Sequence, residues 1–196
     1  MFTGIIQDLG TIKNKDVGLY QISTNLDLSN CKEGSSISCN GVCLTAKNIT
    51  PSNNNSFSFD VNIGEETLKR TNLANSILKN ENINLEKSLQ IGEEISGHFV
   101  YGHVDTTTHV SEILELENSW EYHFEKKFNK NNRFIVEKGS ISINGISLTV
   151  AKVENNTFMI SVIDHTFHHT NLKFLKKSDQ VNIEFDYLAR FILNNE

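Results

Sequence analysis

Cys43 and Ser147 stand at matching points of a stretch that the chain contains twice. Residues 34–45 read Gly-Ser-Ser-Ile-Ser-Cys-Asn-Gly-Val-Cys-Leu-Thr, and residues 139–149 read Gly-Ser-Ile-Ser-Ile-Asn-Gly-Ile-Ser-Leu-Thr. Setting Gly41 on Gly145 brings Asn40 onto Asn144, Leu44 onto Leu148 and Thr45 onto Thr149, and it brings the Cys43 thiol onto the Ser147 hydroxyl. A lone cysteine in a strand is ordinarily a small buried side chain. Here each copy aims one small nucleophilic or hydrogen-bonding group at an equivalent spot, so the copies share a scaffold and differ in chemistry.

His103 is the second chemical signal. The run Gly102-His103-Val104-Asp105 aligns with Gly4-Ile5-Ile6-Gln7, so the imidazole has no partner in the repeated frame. Histidine is the side chain best suited to moving protons near neutral pH. His98, in Ser96-Gly97-His98, reads as structural. The other histidines do not suggest a metal: His98, His103 and His109 fall five and six apart, and the cluster of His165, His168 and His169 matches no ligand spacing of known geometry. The expectation is no metal. Phosphate-cradling glycine loops and dinucleotide fingerprints are absent. Lys138 and Glu66 are either solvated surface charges or rim groups for the polar edge of a heterocycle or polyol.

The elements that must carry these residues are strands. Residues 56–61, Ser-Phe-Ser-Phe-Asp-Val, alternate with period two, as does much of the chain. Asn40-Gly41 and Asn144-Gly145 are tight-turn signals between short strands. Strands are expected at 2–12, 20–23, 36–39, 42–49, 56–61 and 83–89, and again at 99–110, 121–124, 134–136, 140–143, 147–153, 157–163 and 181–185. Pro51 with the polar run 52–55 predicts a surface turn, and 65–73 has the only helical texture of the first half, followed by a polar loop. Further echoes link Glu66-Thr67 and Thr71-Asn72-Leu73 to His165-Thr166 and Thr170-Asn171-Leu172, and link 83–86 to 181–184. A duplication with a period near a hundred residues implies tandem domains. The division is 1–91 and 92–185, each half a small all-β closed or Greek-key barrel, followed by a C-terminal helix at 186–196. Leu188, Phe191 and Ile192 share one face of that helix and Asp186 caps its start; a helix this short needs a partner surface.

A chain of 196 residues suits two such domains. Its formal net charge of −6 argues against nucleic acid and anionic membranes as partners, and favours a small molecule or a protein. Three cysteines, all in the first half, make neither a disulfide framework nor a zinc ribbon. The opening Met-Phe-Thr-Gly has no basic and apolar leader pattern, which reads as cytoplasmic.

Six segments in order carry a resemblance: Met-Phe-Thr-Gly-Ile-Ile-Gln at 1–7, Asn-Gly-Val-Cys-Leu-Thr at 40–45, Glu-Thr-Leu-Lys-Arg-Thr-Asn-Leu at 66–73, Ser-Gly-His-Phe-Val-Tyr-Gly-His-Val-Asp at 96–105, Lys-Gly-Ser-Ile-Ser-Ile-Asn-Gly-Ile-Ser-Leu-Thr-Val at 138–150, and Val-Asn-Ile-Glu-Phe-Asp at 181–186. Together they resemble the alpha-chain type of riboflavin synthase over nearly the whole chain. The resemblance implies two six-stranded barrels and a C-terminal helix that holds a homotrimer. It implies a transferase that binds one 6,7-dimethyl-8-ribityllumazine per barrel and passes a four-carbon unit between them. The products are riboflavin and 5-amino-6-ribitylaminouracil, and no cofactor is needed. The active site then forms between the N-terminal barrel of one subunit and the C-terminal barrel of the next. Association with a lumazine-making partner, lumazine synthase, stays open.

Carried over residue by residue, the first barrel's ligand should touch Gly4, Ile5, Ile6, Cys43, Leu44, Thr45, and Asn62, Glu66 and Thr67 of the segment 62–67. The second should use Gly102, His103, Val104, Lys138, Ser147, Leu148, Thr149, and Val162, Ile163, Asp164, His165, Thr166 and Phe167. Ser36 joins Cys43 in the first pocket, while Asp186 joins Ser147, Thr149 and His103 at the second or its rim. His103 is expected to move a proton, and Cys43 or Ser147 to handle an adduct or water. Two rival readings use similar barrels. A non-catalytic lumazine- or flavin-binding antenna protein would lose the reactive side chains that Cys43, His103, Ser147 and Thr149 supply. An oligonucleotide-binding barrel pair would want a basic, aromatic groove.

Overall fold

Alternation along the strands decides which residues face inward. In β12 (Thr157–Ile163), Phe158, Ile160 and Val162 are buried while their neighbours are not, the period-two pattern of a strand with one face on a core. A computed structural model of the chain describes residues 1–52 and 55–193. In it the second half forms a closed barrel in the order β10 (Ser140–Ile143), β11 (Ile146–Val153), β12, β9 (Ser119–Glu125), β8 (Thr106–Glu115) and β13 (Gln180–Phe185). The first half runs in the same cyclic order with seven strands: β4 (Val42–Thr45), β3 (Ser36–Cys39), β7 (Asn82–Lys87), β1 (Asp8–Asp16), β2 (Leu19–Thr24), β6 (Phe57–Asn62) and β5 (Lys47–Pro51).

The extra strand has a local cause. β4 and β5 together correspond to β11, and only Ala46 separates them. Asn48 takes a positive φ of 47°, and the β5–β6 register slips between Lys47 and Thr50, so the strand breaks where β11 makes only a bulge between Val150 and Lys152. The sheet therefore begins and ends on adjacent segments of one chain, and the duplicated all-β architecture holds.

Each barrel has its own apolar core, one around Ile12, Phe59 and Leu85 and the other around Phe124, Phe158 and Ile183. Both Asn-Gly hairpins adopt the expected double positive φ, 49° and 79° for Asn40 and Gly41, 48° and 81° for Asn144 and Gly145. Between the barrels lies a buried network of six asparagines in three repeat-related pairs: Asn40 and Asn144, Asn72 and Asn171, Asn84 and Asn182. The Asn72 amide donates to Asn182 Oδ1 (2.7 Å), as the Asn171 amide donates to Asn84 Oδ1 (2.7 Å). Asn84 Nδ2 donates to the Asn144 carbonyl (2.9 Å), and Asn182 Nδ2 to that of Asn40 (2.8 Å). Such mutual hydrogen bonding is what lets polar side chains sit buried between the barrels.

Three expectations change. The polar loop after Leu73 is the helix α2 (Leu73–Lys79), which follows α1 (Glu65–Arg70). No strand forms at the expected 134–136, where Phe134 ends a 3₁₀ turn over Asn129–Phe134 and the next two residues are irregular, and the strands expected from residues 2 and 99 begin only at Asp8 and Thr106. The turn expected at 52–55 lies partly outside the described residues, as does 194–196 of the terminal segment. Helix α3 (Asp164–His169) repeats α1, and α4 (Tyr187–Leu193) is capped by Asp186, whose Oδ1 accepts from the Leu188 amide at 2.9 Å. Among the described residues no helix is long and apolar enough to cross a membrane.

Candidate active site

Two short straps, residues 1–7 and 97–105, precede the first strand of each barrel. They clasp each other antiparallel, Phe2 N donating to Val100 O (2.7 Å) and Val100 N to Phe2 O (3.0 Å), with both side chains fully buried. Beyond the clasp they part, and each crosses to the other barrel. Cys43 N in the first barrel donates to Gly102 O at 2.9 Å; Ser147 N in the second donates to Gly4 O at 2.8 Å. Val104 packs against the first core and Ile6 against the second. Both glycines have positive φ, 77° for Gly4 and 79° for Gly102, and a Cβ on either would lie 2.5 Å from the facing residue. Only glycine allows this approach.

The exchange reverses the expected assignment. Gly102, His103 and Val104 complete the first barrel's site, and Gly4 and Ile6 dock on the second, with Ile5 half exposed between them. Sequence order paired each strap with the barrel it leads into, whereas the clasp sends it across.

The first site is a cleft of about 250 Å³ whose wall includes Cys43, Glu66, Thr67, Arg70, His103 and Val104. β4 turns Val42 and Leu44 into the core, leaving Cys43 and Thr45 on the outer face, where Ser36 sits directly across from Thr45. Glu66 pairs with Arg70 at 2.6 Å across one turn of α1, and the Thr67 carbonyl accepts from Thr71 Oγ1 at 2.7 Å. Asn62 ends β6 at the exposed rim.

The second site centres on Ser147. Its Oγ lies 2.7 Å from His98 Nδ1. Burial lowers the His98 pKa from the ordinary imidazole value, and the nearby Asp186 carboxylate pulls it partway back. His98 is thus neutral at pH 7 and can exchange a proton with the serine hydroxyl. Thr149 stands exposed one alternation further along β11, and Leu148 and Val162 face the core. Ile163 is exposed, leading into α3, where Asp164 faces His168 (3.2 Å), the rings of His165 and His169 stack at 4.2 Å, and the Thr166 carbonyl accepts from Thr170 Oγ1 (2.7 Å). Phe167 lies parallel to Trp120 with centroids 3.8 Å apart, which fixes α3 on the barrel. Lys138 holds an exposed turn before β10, with φ 66°.

Two buried carboxylates secure the straps. Glu86 Oε1 accepts from Thr3 N (2.7 Å) and Thr3 Oγ1 (2.9 Å), and its Oε2 from Gly4 N (3.0 Å). Glu184 Oε1 accepts from Tyr101 N (2.6 Å), and its Oε2 from Gly102 N and His103 N (both 2.9 Å). Burial raises both carboxyl pKa values, and these backbone donors act in the opposite sense.

The lumazine binding domain family matches this chain twice, over residues 3–88 and 101–186. The chain is 39% identical to the riboflavin synthase of Actinobacillus pleuropneumoniae, covering 98% of this chain and 88% of that protein. Identity to the riboflavin synthase of Buchnera aphidicola is 37%, over 100% and 92%. The chain belongs to the riboflavin synthase family. Its fold is also that of the crystal structure of LumP complexed with riboflavin, at a TM-score of 0.78 and 22% identity over 94% of this chain and 99% of that one.

Within this riboflavin synthase frame, the structure joins Cys43 with His103 and Ser147 with His98. Asp186 caps α4, and its negative charge is near enough to His98 to favour the protonated imidazole against the effect of burial. His98, expected to be structural, lies within hydrogen-bond distance of Ser147. Its contact with Ser147 is made across 49 residues, and no local pattern announces it. Glu86 and Glu184 were visible as repeat partners in 83–86 and 181–184, but nothing local marks a buried acceptor. Among the described residues no cluster of three or more His, Cys, Asp or Glu side chains could hold a metal.

Proposed function

We propose that this chain is a riboflavin synthase that takes one 6,7-dimethyl-8-ribityllumazine in each barrel and moves a four-carbon unit from one to the other. The products are riboflavin and 5-amino-6-ribitylaminouracil. The observation that carries the reading is a pair of sites built alike and armed differently: Cys43 with His103 on one, Ser147 with neutral His98 on the other. A dismutation needs such a pair. One ligand loses a proton from its C7 methyl group while the other is attacked by a nucleophile, so identical molecules must meet groups of different chemistry.

In this reading the Ser147–His98 pair relays a proton at the second ring, and His103 does so at the first, with Cys43 beside it for an adduct or water. Main-chain amides and the Thr45 and Thr149 hydroxyls hold the pyrimidine edge. The reaction draws donor and acceptor from one compound, so proximity and orientation supply most of the rate. A trimer in which the first barrel of one subunit meets the second barrel of the next brings the two rings face to face. The exposed Leu188, Phe191 and Ile192 of α4 supply an apolar face for it.

A binder without turnover is the second reading, favoured by the likeness of fold to LumP complexed with riboflavin. Purified protein mixed with the lumazine decides between them. Riboflavin appearing at half the rate of lumazine loss, together with the diaminouracil, supports the enzyme; bound lumazine that is never consumed overturns it.

A further inference from the structure

Glu86 stands on β7, the last strand of the first barrel, yet the strap it holds docks through Gly4 on Ser147 of the second. Glu184 stands on β13, the last strand of the second barrel, yet the strap it holds docks through Gly102 on Cys43 of the first and carries His103 into that cleft. We propose that these two carboxylates are positioning residues acting across the barrel boundary, each barrel setting the geometry of the other's ligand site. The proposal rests on the functional reading above for its ligand and deepens it.

The chemistry requires a carboxylate. Glu184 meets three successive backbone N–H groups with acceptors only, filling a concave nest of main-chain donors. Glutamine offers one oxygen and turns an N–H₂ toward the remaining donor, so either Tyr101 N or the pair Gly102 N and His103 N loses its partner. The strap then lifts from Cys43. At Glu86 the same change lifts the strap from Ser147 and disturbs His98, whose amide donates to the Thr3 carbonyl at 3.1 Å.

The test separates the sites within one protein. Cys43 lines the first cleft, so its alkylation by iodoacetamide, read by peptide mass spectrometry, reports that site alone, while calorimetric titration with 6,7-dimethyl-8-ribityllumazine counts both. Glu184→Gln is expected to raise the alkylation rate of Cys43 at least threefold without ligand, and to raise the lumazine concentration that protects it at least tenfold, one calorimetric site remaining. Glu86→Gln should leave Cys43 reactivity and protection as in the parent protein and weaken the other site tenfold. Thr3→Val, which removes one donor to Glu86 and nearly keeps volume, carries the second arm more gently if Glu86→Gln does not fold. Variants that weaken both sites together, or neither, overturn the proposal. A parent protein that binds no lumazine refutes the functional reading instead, and the ligand-free alkylation rates then decide the cross-barrel role alone.

Discussion

Gly41 and Gly145 face each other so closely that a Cβ on either would lie 2.7 Å from the other's backbone nitrogen. The two Asn-Gly hairpins therefore meet back to back on the axis that relates the barrels. Gly41→Ala and Gly145→Ala should each destabilise by about 3 kcal/mol, combining strain at positive φ with a backbone collision. Gly34→Ala is the control, since its φ is 90° but nothing lies within 4 Å of the added carbon; it should cost only about 1 kcal/mol. Urea unfolding of the three variants measures this, and equal losses would mean that the hairpins do not touch.

The asparagine network makes a second prediction. Asn84→Ala strands the Asn144 carbonyl and the Asn171 amide, and Asn182→Ala strands the Asn40 carbonyl and the Asn72 amide. Each stranded group costs about 1–3 kcal/mol. The double variant should lose less than the sum, because Asn40 and Asn144 anchor both halves of one network. Strict additivity in thermal unfolding would show two independent interfaces.

For His98 the sign follows from burial. A base whose folded pKa lies below its unfolded value favours the neutral form in the native state. The native state then binds fewer protons between the two values, so stability rises with pH through that window and is fully present above about 6.5. It is lost as pH falls below that point. Ring resonances of His98 should titrate below 6.5, and His98→Gln should remove this part of the acid sensitivity. A midpoint at or above 6.5 would contradict the buried, neutral imidazole.

Ser147 and His98 should act as a unit. Ser147→Ala and His98→Ala are each expected to lower turnover on the order of 10²-fold. The double variant should be no worse than the poorer single one, the signature of groups that share one proton path. Steady-state rates of riboflavin formation test this, and multiplicative losses would separate the two residues.

Helix α4 presents Leu188 and Phe191 at 65% and 66% exposure, while the Arg190–Asp105 ion pair and the Tyr101–Tyr187 ring contact at 5.2 Å tie it to the second strap. Leu188→Glu with Phe191→Glu should convert the proposed threefold assembly to single chains in light scattering and lower riboflavin formation at least tenfold, while each chain keeps its fold. Unchanged mass would remove α4 from the interface.

Much of this was legible in the residues. The duplication, the period-two strands and the Asn-Gly hairpins are local signals, and each formed as its residue types dictate. Cys43 and Ser147 stand out as candidates because the repeat aligns them. The split of the expected strand 42–49 into β4 and β5 at Ala46 was not legible, because it accompanies a register slip against β6, a partner beyond the local pattern. The His98–Ser147 contact was not legible either, because it joins residues 49 apart in the chain.

The sequence by itself determined that two like modules would each place a small reactive side chain beside an Asn-Gly turn, because turn chemistry and strand alternation act over a few residues. Only the tertiary structure decided which strap serves which barrel. Phe2 and Val100 bury against each other at the axis, and Glu86 and Glu184 hold the parted ends. A duplicated sequence is indifferent to that exchange, since either docking repeats the same local contacts; the crossing is decided where the two copies meet.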